Sequence, residues 1–147
     1  VFNGILENEL RLILLIDTFG MPQNADMLYA ADFMSVYSSV FGLTNENLNG
    51  ENQYKFSEFV SRRALVHKVL KEMALTGLVK PIPTPIGIAY QITELGKKLS
   101  ASLESEYASE YRQNAMKVVK FTSQKTEREI ISYINDISAK SLKESNK

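Results

Sequence analysis

One histidine, His67, and no cysteine stand among the 147 residues. Thiol catalysis, cysteine-ligated zinc and a disulfide framework are therefore excluded, as is any metal site or triad that draws on several histidines. His67 lies among bases in a helical stretch, where a solvated or lightly packed imidazole is expected rather than a catalytic one. Glu104, Glu106 and Glu110 fall at helical spacing on an exposed surface, where they pair with solvent and nearby lysines. Tuning one of them as a general acid would require burial. Asp17, at the end of an apolar helix, is open to burial, but one carboxylate is not a constellation. No Gly-rich phosphate loop, nucleophile elbow or paired histidines on a helix face can be found. The expectation is a chain with no catalytic residues, no metal site and no cofactor.

What remains is recognition by charge and by apolar surface. The formal net charge is zero, but it is unevenly spread. Residues 1–54 hold one base, Arg11, against seven acids, whereas residues 55–80 hold six bases and two acids. Arg62, Arg63, His67, Lys68 and Lys71 share one helical stretch, with Lys80 just beyond it. Such a face suits phosphate or an acidic protein surface. The acidic first third suits a basic partner, although a solvated mixed surface would give the same counts. A second candidate surface is apolar: Tyr29, Phe33 and Tyr37, with Asp32 beside them, recur at helical spacing in a segment richer in aromatic and apolar side chains than one core stripe requires. Either they face a partner or they fill a crowded small core.

The elements that position these groups follow from periodicity. Residues 5–19 read as a helix, apolar almost all round because Leu12, Leu15 and Ile16 widen the stripe of Leu6, Leu10, Ile13 and Leu14. A helix of that kind is buried on more than one side. Gly20 stops it and Pro22 blocks its continuation. Asn24 is placed to cap a second helix over 25–41. A loop over 42–56 follows, punctuated by Gly42, Asn45, Asn47, Asn49, Gly50 and Asn52, and loops of that length are uncommon unless functional or mobile. Ser57 is positioned to cap a third helix over 58–75, with Val66, Val69, Leu70 and Met73 on its buried face and Gly77 in the left-handed position that ends it.

A β-ribbon then spans 78–92, with Pro83-Thr84-Pro85 as a stiff turn. Thr93 caps a helix from residue 94 that carries Leu95, Leu99 and Leu103 and runs or kinks on through Tyr107, Tyr111, Met116, Val119 and Phe121. Thr126 and Glu129 have capping-box spacing for a last helix, with Ile130, Ile134 and Ile137 as its stripe and a fraying polar tail from Ser141. Size and composition suit one globular domain. No apolar run approaches the ~20 residues that cross a bilayer, so no membrane association is expected. The absence of cysteine fits a reducing, cytoplasmic setting. The chain opens on Val1 rather than Met, as expected where the N-terminus is either trimmed or incomplete, and shows no signal-peptide pattern.

Helix, proline-tipped ribbon and Thr-capped helix in this order predict a mainly α fold with a small β-wing. The expected architecture is a winged-helix domain over 1–121, followed by a C-terminal helix and tail over 122–147. In DNA-reading winged helices the exposed face of the third helix enters the major groove and the wing touches phosphate. Two features weigh against a sequence-reading regulator here. The wing tip has no Arg or Lys, only Lys80 nearby, and some fifteen residues separate the second and third helices, where a helix-turn-helix has a short turn. Winged helices also serve as protein-docking modules.

From Leu10 to Phe121 the sequence resembles the small middle component of bacterial ABC-three-component systems, the accessory subunit of Lamassu-type defence complexes. The resemblance rests on the leucine-rich stretch Leu10–Asp17, on Ala31-Asp32-Phe33, and on Arg62-Arg63-Ala64-Leu65. It continues through Gly77-Leu78-Val79, Tyr90 before Thr93-Glu94-Leu95-Gly96, and Leu103-Glu104-Ser105-Glu106-Tyr107-Ala108. Where the family usually has Asp-Tyr, this chain has Asp32-Phe33. The resemblance implies a non-enzymatic subunit beside an SMC-like (Rad50-like) ATPase and a nuclease-type effector. It implies docking on the ATPase and help in holding the effector inactive until foreign DNA is sensed. The alternative is a free-standing winged-helix transcription regulator that binds DNA. A mixed case would add nonspecific double-stranded DNA contact by the basic face.

Overall fold

The computed structural model describes residues 4–48, 50 and 52–145. Among these, α1 (Ile5–Phe19) leads through β1 (Gln23–Asn24) to α2 (Ala25–Val36), a 3-10 turn (Ser38–Phe41) and α3 (Lys55–Leu75). The hairpin β2 (Val79–Thr84) and β3 (Gly87–Ile92) follows, then α4 (Glu94–Ser102), α5 (Glu106–Thr122) and α6 (Glu127–Ser145). The fold is mainly helical with one three-stranded antiparallel sheet in the order β1-β3-β2.

α1 is the central element. Leu12 to Ile16 are all buried, because α2, α3, α4 and α5 pack around this helix. Its all-round apolar character is the sequence counterpart of that position. Gly20 closes it with φ 69°, its N–H donating to the Ile16 carbonyl. Asn24 caps α2 through an Oδ1 that accepts the Met27 N–H at 2.8 Å. Gly77, at φ 83°, ends α3: the Leu78 N–H reaches the Met73 carbonyl and the Gly77 N–H the Ala74 carbonyl, the two bonds of a Schellman closure. Thr126 and Glu129 exchange the reciprocal bonds of a capping box, 3.0 and 3.2 Å.

Several boundaries differ from expectation. α2 stops at Val36 and tightens into the 3-10 turn, so the expected 25–41 helix is two pieces. α3 begins at Lys55, not after Ser57. Asn52 organises that start instead, its side chain accepting the Tyr54 N–H and its carbonyl accepting the Lys55 N–H. Asn49, expected to punctuate the loop, lies outside the described residues. The hairpin turn falls at Pro85-Ile86, with Pro83 and Thr84 inside β2. β2 is the sheet edge, where a proline that lacks an N–H is tolerated. β1 was not anticipated: two residues, Gln23 paired with Tyr90 and Asn24 with Ala89, are too short for any periodicity. α6 runs on through Ser145, where fraying was expected from Ser141. Ala139, Lys140, Leu142 and Lys143 are good helix formers and sustain it without burial; residues 146 and 147 lie outside the described set.

The choice left open for α2 falls to the crowded core. Every residue from Met27 to Val36 is buried, because α1, α3, α5 and α6 all pack on this one helix. Tyr29, Phe33 and Tyr37 therefore do not form an exposed docking stripe; Phe33 is 1% exposed. Phe33 lies within 6.0 Å, centroid to centroid, of Tyr37, Phe41, Phe56 and Phe59. Tyr29 stacks on Phe59 at 4.4 Å and donates its hydroxyl to the Phe59 carbonyl. The expectation failed because aromatic rings of α3, Phe56 and Phe59, and of the 3-10 turn, Phe41, close on the face that carries Tyr29 and Phe33, while α5 and α6 also pack on this helix. Ile130 and Ile134 of α6 belong to the same buried cluster as α1 and α2.

Candidate functional site

The six cations expected to form one face divide into three groups. Arg62 is not on the face. Two turns into α3 and on its buried side, it turns inward with its Nη2 3.0 Å from Asp32 Oδ2, and only 8% of the residue is exposed. Asp32 also accepts from Arg11 Nε at 3.0 Å and Arg11 Nη2 at 3.2 Å, and from the Tyr111 hydroxyl at 2.7 Å. Asn8 completes the group, its Oδ1 accepting from Arg11 Nη2 at 3.0 Å and from Arg62 Nη2. Four helices thus meet on one buried carboxylate: α1 through Asn8 and Arg11, α2 through Asp32, α3 through Arg62, and α5 through Tyr111.

Burial alone would raise the Asp32 carboxyl, but the charges of Arg11 and Arg62, with the bonds from Arg11 and Tyr111, hold it well below the usual carboxylate range. Burial likewise disfavours the charge on Arg11, and Asp32 more than offsets it, holding that guanidinium above its ordinary value. Burial, then the Asp32 charge, pushes the Tyr111 hydroxyl well above its own. Asp32 is a structural hub, saturated by two guanidiniums and a phenol, rather than the docking residue expected of it. The one available signal was Arg11 itself, a lone base inside a helix apolar on every side, which has to find a buried acid. Asn8 and Tyr111 carried no such signal.

Arg63 and His67 stay at the surface but are engaged. Arg63 Nε and Nη2 each lie 2.9 Å from an oxygen of Asp26, in a bidentate fork. His67 Nε2 lies 2.9 Å from Asp26 Oδ1. The bond from Arg63, and less so that with His67, lowers the Asp26 carboxyl. Lys68, Lys71 and Lys80 are the exposed cations that remain. Replacing Asp26 by Asn is expected to change stability by no more than about 1 kcal/mol, since the pair is largely solvated. It should instead release one positive charge on this face, read as tighter, more salt-sensitive retention on a heparin or duplex-DNA matrix.

A groove of about 310 Å³ lies between α3 and the hairpin, lined by Asp26, His67, Lys71, Ile86, Ile88 and Tyr90, among others. Tyr90 is buried, whereas Ile86 at the tip is 85% exposed and Ile88 53%. The side of the groove away from the cations is therefore apolar. The hairpin root is held rigidly. Thr93 Oγ1 donates to the Gly77 carbonyl at 2.6 Å and accepts the Gly96 N–H at 3.1 Å, tying the start of α4 to the end of α3. Asp17, open to burial in the sequence, is exposed and accepts from the buried Ser100 hydroxyl at 2.7 Å. No group of three or more His, Asp or Glu suited to a metal ion gathers among the described residues, and none of their helices is long and apolar enough to cross a membrane.

Comparison with known proteins gives the family. No curated protein and no solved structure matches the chain. One family model does, over residues 1–144, nearly the whole length. The stretches that carry the resemblance include the helices that supply Arg11, Asp32 and Arg62 and the Thr93–Gly96 corner that anchors the hairpin. The chain belongs to the family of the ABC-three component (ABC-3C) system Middle Component 2.

Proposed function

We propose that this chain is a non-catalytic assembly subunit of an ABC-3C defence system and that the α3–hairpin face docks a protein. The element order α1-β1-α2-α3-β2-β3 with sheet order β1-β3-β2 supports a winged-helix reading, with β2–β3 as the wing. The observation that carries the docking role is the wing itself: its tip bears exposed Ile86 and Ile88 and no cation. A phosphate-binding wing needs Lys or Arg there. Of the six residues expected to form the basic face, three are engaged within the molecule, Arg62 by Asp32 and Arg63 and His67 by Asp26. α2 and α3 are separated by residues 37–54, not by the short turn of a helix-turn-helix. A free-standing regulator draws little support from this. Lys68, Lys71 and Lys80 still suit a nonspecific duplex contact that would accompany assembly.

In this reading the docking partner is the SMC-like ATPase of the system, and the subunit helps hold or release a nuclease-type effector. Co-expression of the tagged chain with the other components of its system tests it. Wild type should copurify with the ATPase. Ile86→Asp with Ile88→Asp should abolish copurification while leaving the thermal melt within a few degrees, since neither side chain is buried. Unchanged copurification would remove the wing from the docking face. The triple change of Lys68, Lys71 and Lys80 to Ala should leave assembly intact and flatten any salt-dependent binding to duplex DNA.

A further inference from the structure

A second recessed surface lies on other elements. A cavity of about 150 Å³ opens between α1 and the corner where α4 gives way to α5. Leu10, Leu14, Leu103, Tyr107 and Ala108 wall it, with Arg11 at one side. The corner exists because Leu103 leaves the helical conformation and Ser105 caps α5, its hydroxyl accepting the Ala108 N–H at 3.1 Å. On α1 the lining residues 7, 10, 11 and 14 form one helical stripe. Leu6, one turn before Leu10 on that side, is 62% exposed, so the apolar surface continues out of the cavity mouth.

Acidic residues adjoin the cavity. Glu7 is part of the wall, and Glu104 and Glu106, both exposed, flank Leu103, Ser105 and Tyr107. Neither residues 4–10 nor residues 103–111 contain a single Lys or Arg. Two bases lie nearby and both are engaged: Arg11 is buried with its charge held by Asp32, and Arg112 turns back to donate from Nη2 to the Ser100 carbonyl at the end of α4. An apolar void of this size accepts one small apolar group, about as large as a benzene ring, and the walls gain dispersion contacts when it is filled. Carboxylates adjoining the cavity favour a cation beside that group and steer its approach.

We propose that this cavity is an anchor site for a basic segment of another component of the assembly, which inserts one Leu-, Met- or Phe-sized side chain between α1 and the α4–α5 corner while flanking Lys or Arg residues meet Glu7, Glu104 and Glu106. This rests on the reading of the chain as an assembly subunit. It adds a second contact, of opposite charge to the α3–hairpin face and built on different helices, so that one small chain can hold two partners at once.

Two measurements test it. In the first, the full chain with labelled Leu and Ile methyl groups is titrated with overlapping peptides that tile the other components of its system. A peptide with one apolar residue flanked by bases should shift the methyls of Leu10, Leu14 and Leu103 and leave those of Ile86 and Ile88 in place. The pair Glu104→Lys and Glu106→Lys, at exposed positions that do not threaten the fold, should weaken that peptide about tenfold at low salt and remove most of its salt dependence.

In the second, the same pair and Leu6→Glu are placed in the co-expressed complex, where they should release one component and retain the one that the Ile86 and Ile88 changes release. Perturbation confined to the hairpin methyls would overturn the site, as would a complex indifferent to all three changes; either leaves the assembly role standing. A chain that dimerises at micromolar concentration, and becomes monomeric with Leu6→Glu, would show that a second copy occupies the cavity, which also overturns the proposal. No complex under any condition removes both readings.

Discussion

Replacing Asp32 by Ala is expected to cost about 3–5 kcal/mol of folding stability, the usual penalty for removing one member of a buried ion pair. A domain of this size has only about 5–15 kcal/mol to lose. The reason lies in what is left behind. Arg11 and Arg62 would remain two guanidiniums in the interior without a carboxylate, and the Tyr111 hydroxyl would lose its acceptor. Arg62 Nε is already buried without a hydrogen-bond partner among the described residues, so the site has no slack with which to re-pair. A fall of roughly 10–15 °C in melting temperature is the expected readout. A variant that melts within a few degrees of wild type would show that the two cations find other partners.

The same group sets an acid limit. Its folded pKa is held below the usual carboxylate range by Arg11 and Arg62. Its contribution is therefore fully present above the unfolded value of about 3.9 and is lost as pH falls below that value towards the folded one. Wild type should lose stability steeply below about pH 4. Asp32→Asn, less stable throughout, should lose less over the same interval, because the titrating group is gone. Parallel slopes for the two proteins would assign the acid limit to other carboxylates.

Gly96→Ala is expected to destabilise by about 1–3 kcal/mol or more, although in an ordinary helix interior the same change stabilises by about 1 kcal/mol. The sign reverses because of what a β-carbon would meet. Built on the backbone, it lies 2.2 Å from the Leu78 carbonyl oxygen, 2.8 Å from Ile92 Cγ1 and 3.0 Å from Ile13 Cδ1. The first of these is backbone and cannot swing aside. Helix α4 would have to lift from the hairpin root and from α1, and the Thr93 bonds to Gly77 and Leu78 would stretch with it. Gly96→Val should be worse still. A melt at or above wild type for Gly96→Ala would mean that α4 is free to slide. Because the hairpin springs from this corner, Gly96→Ala is also expected to weaken the partner docking proposed for the wing before it unfolds the chain. Reduced copurification at a temperature where the far-ultraviolet circular dichroism is still native would show it.

The small residue in Thr93-Glu94-Leu95-Gly96 is thus a statement about packing distance. The threonine is a statement about capping: it was legible from sequence as a cap, but its second bond, to the carbonyls that end α3, was not. Arg62 shows the same division. Its type and spacing put it with Arg63, Lys68 and Lys71 as a cation on one helix. Whether a cation at the margin of a helical stripe faces water or the interior depends on what lies opposite. Here Asp32 and Asn8 lie opposite, from helices 30 and 54 residues earlier in the chain.

Sequence alone determined what is written in short-range geometry. The course of α1, the caps at Asn24, Thr93 and Thr126, the left-handed ends at Gly20 and Gly77, and the hairpin between Gly77 and Thr93 all depend on backbone groups a few residues apart, so local residue type decides them. Tertiary structure decided everything that rests on which faces meet. It buried Tyr29, Phe33 and Tyr37 among the packed helices, with Phe56 and Phe59 of α3 against the first two, turned Arg62 inward, paired Arg63 and His67 with Asp26, and opened a cavity at the α4–α5 corner. A helix with apolar residues on all sides carries no record of which neighbours cover them. The same side chains read equally well as core or as docking surface until the helices that pack on them are in place.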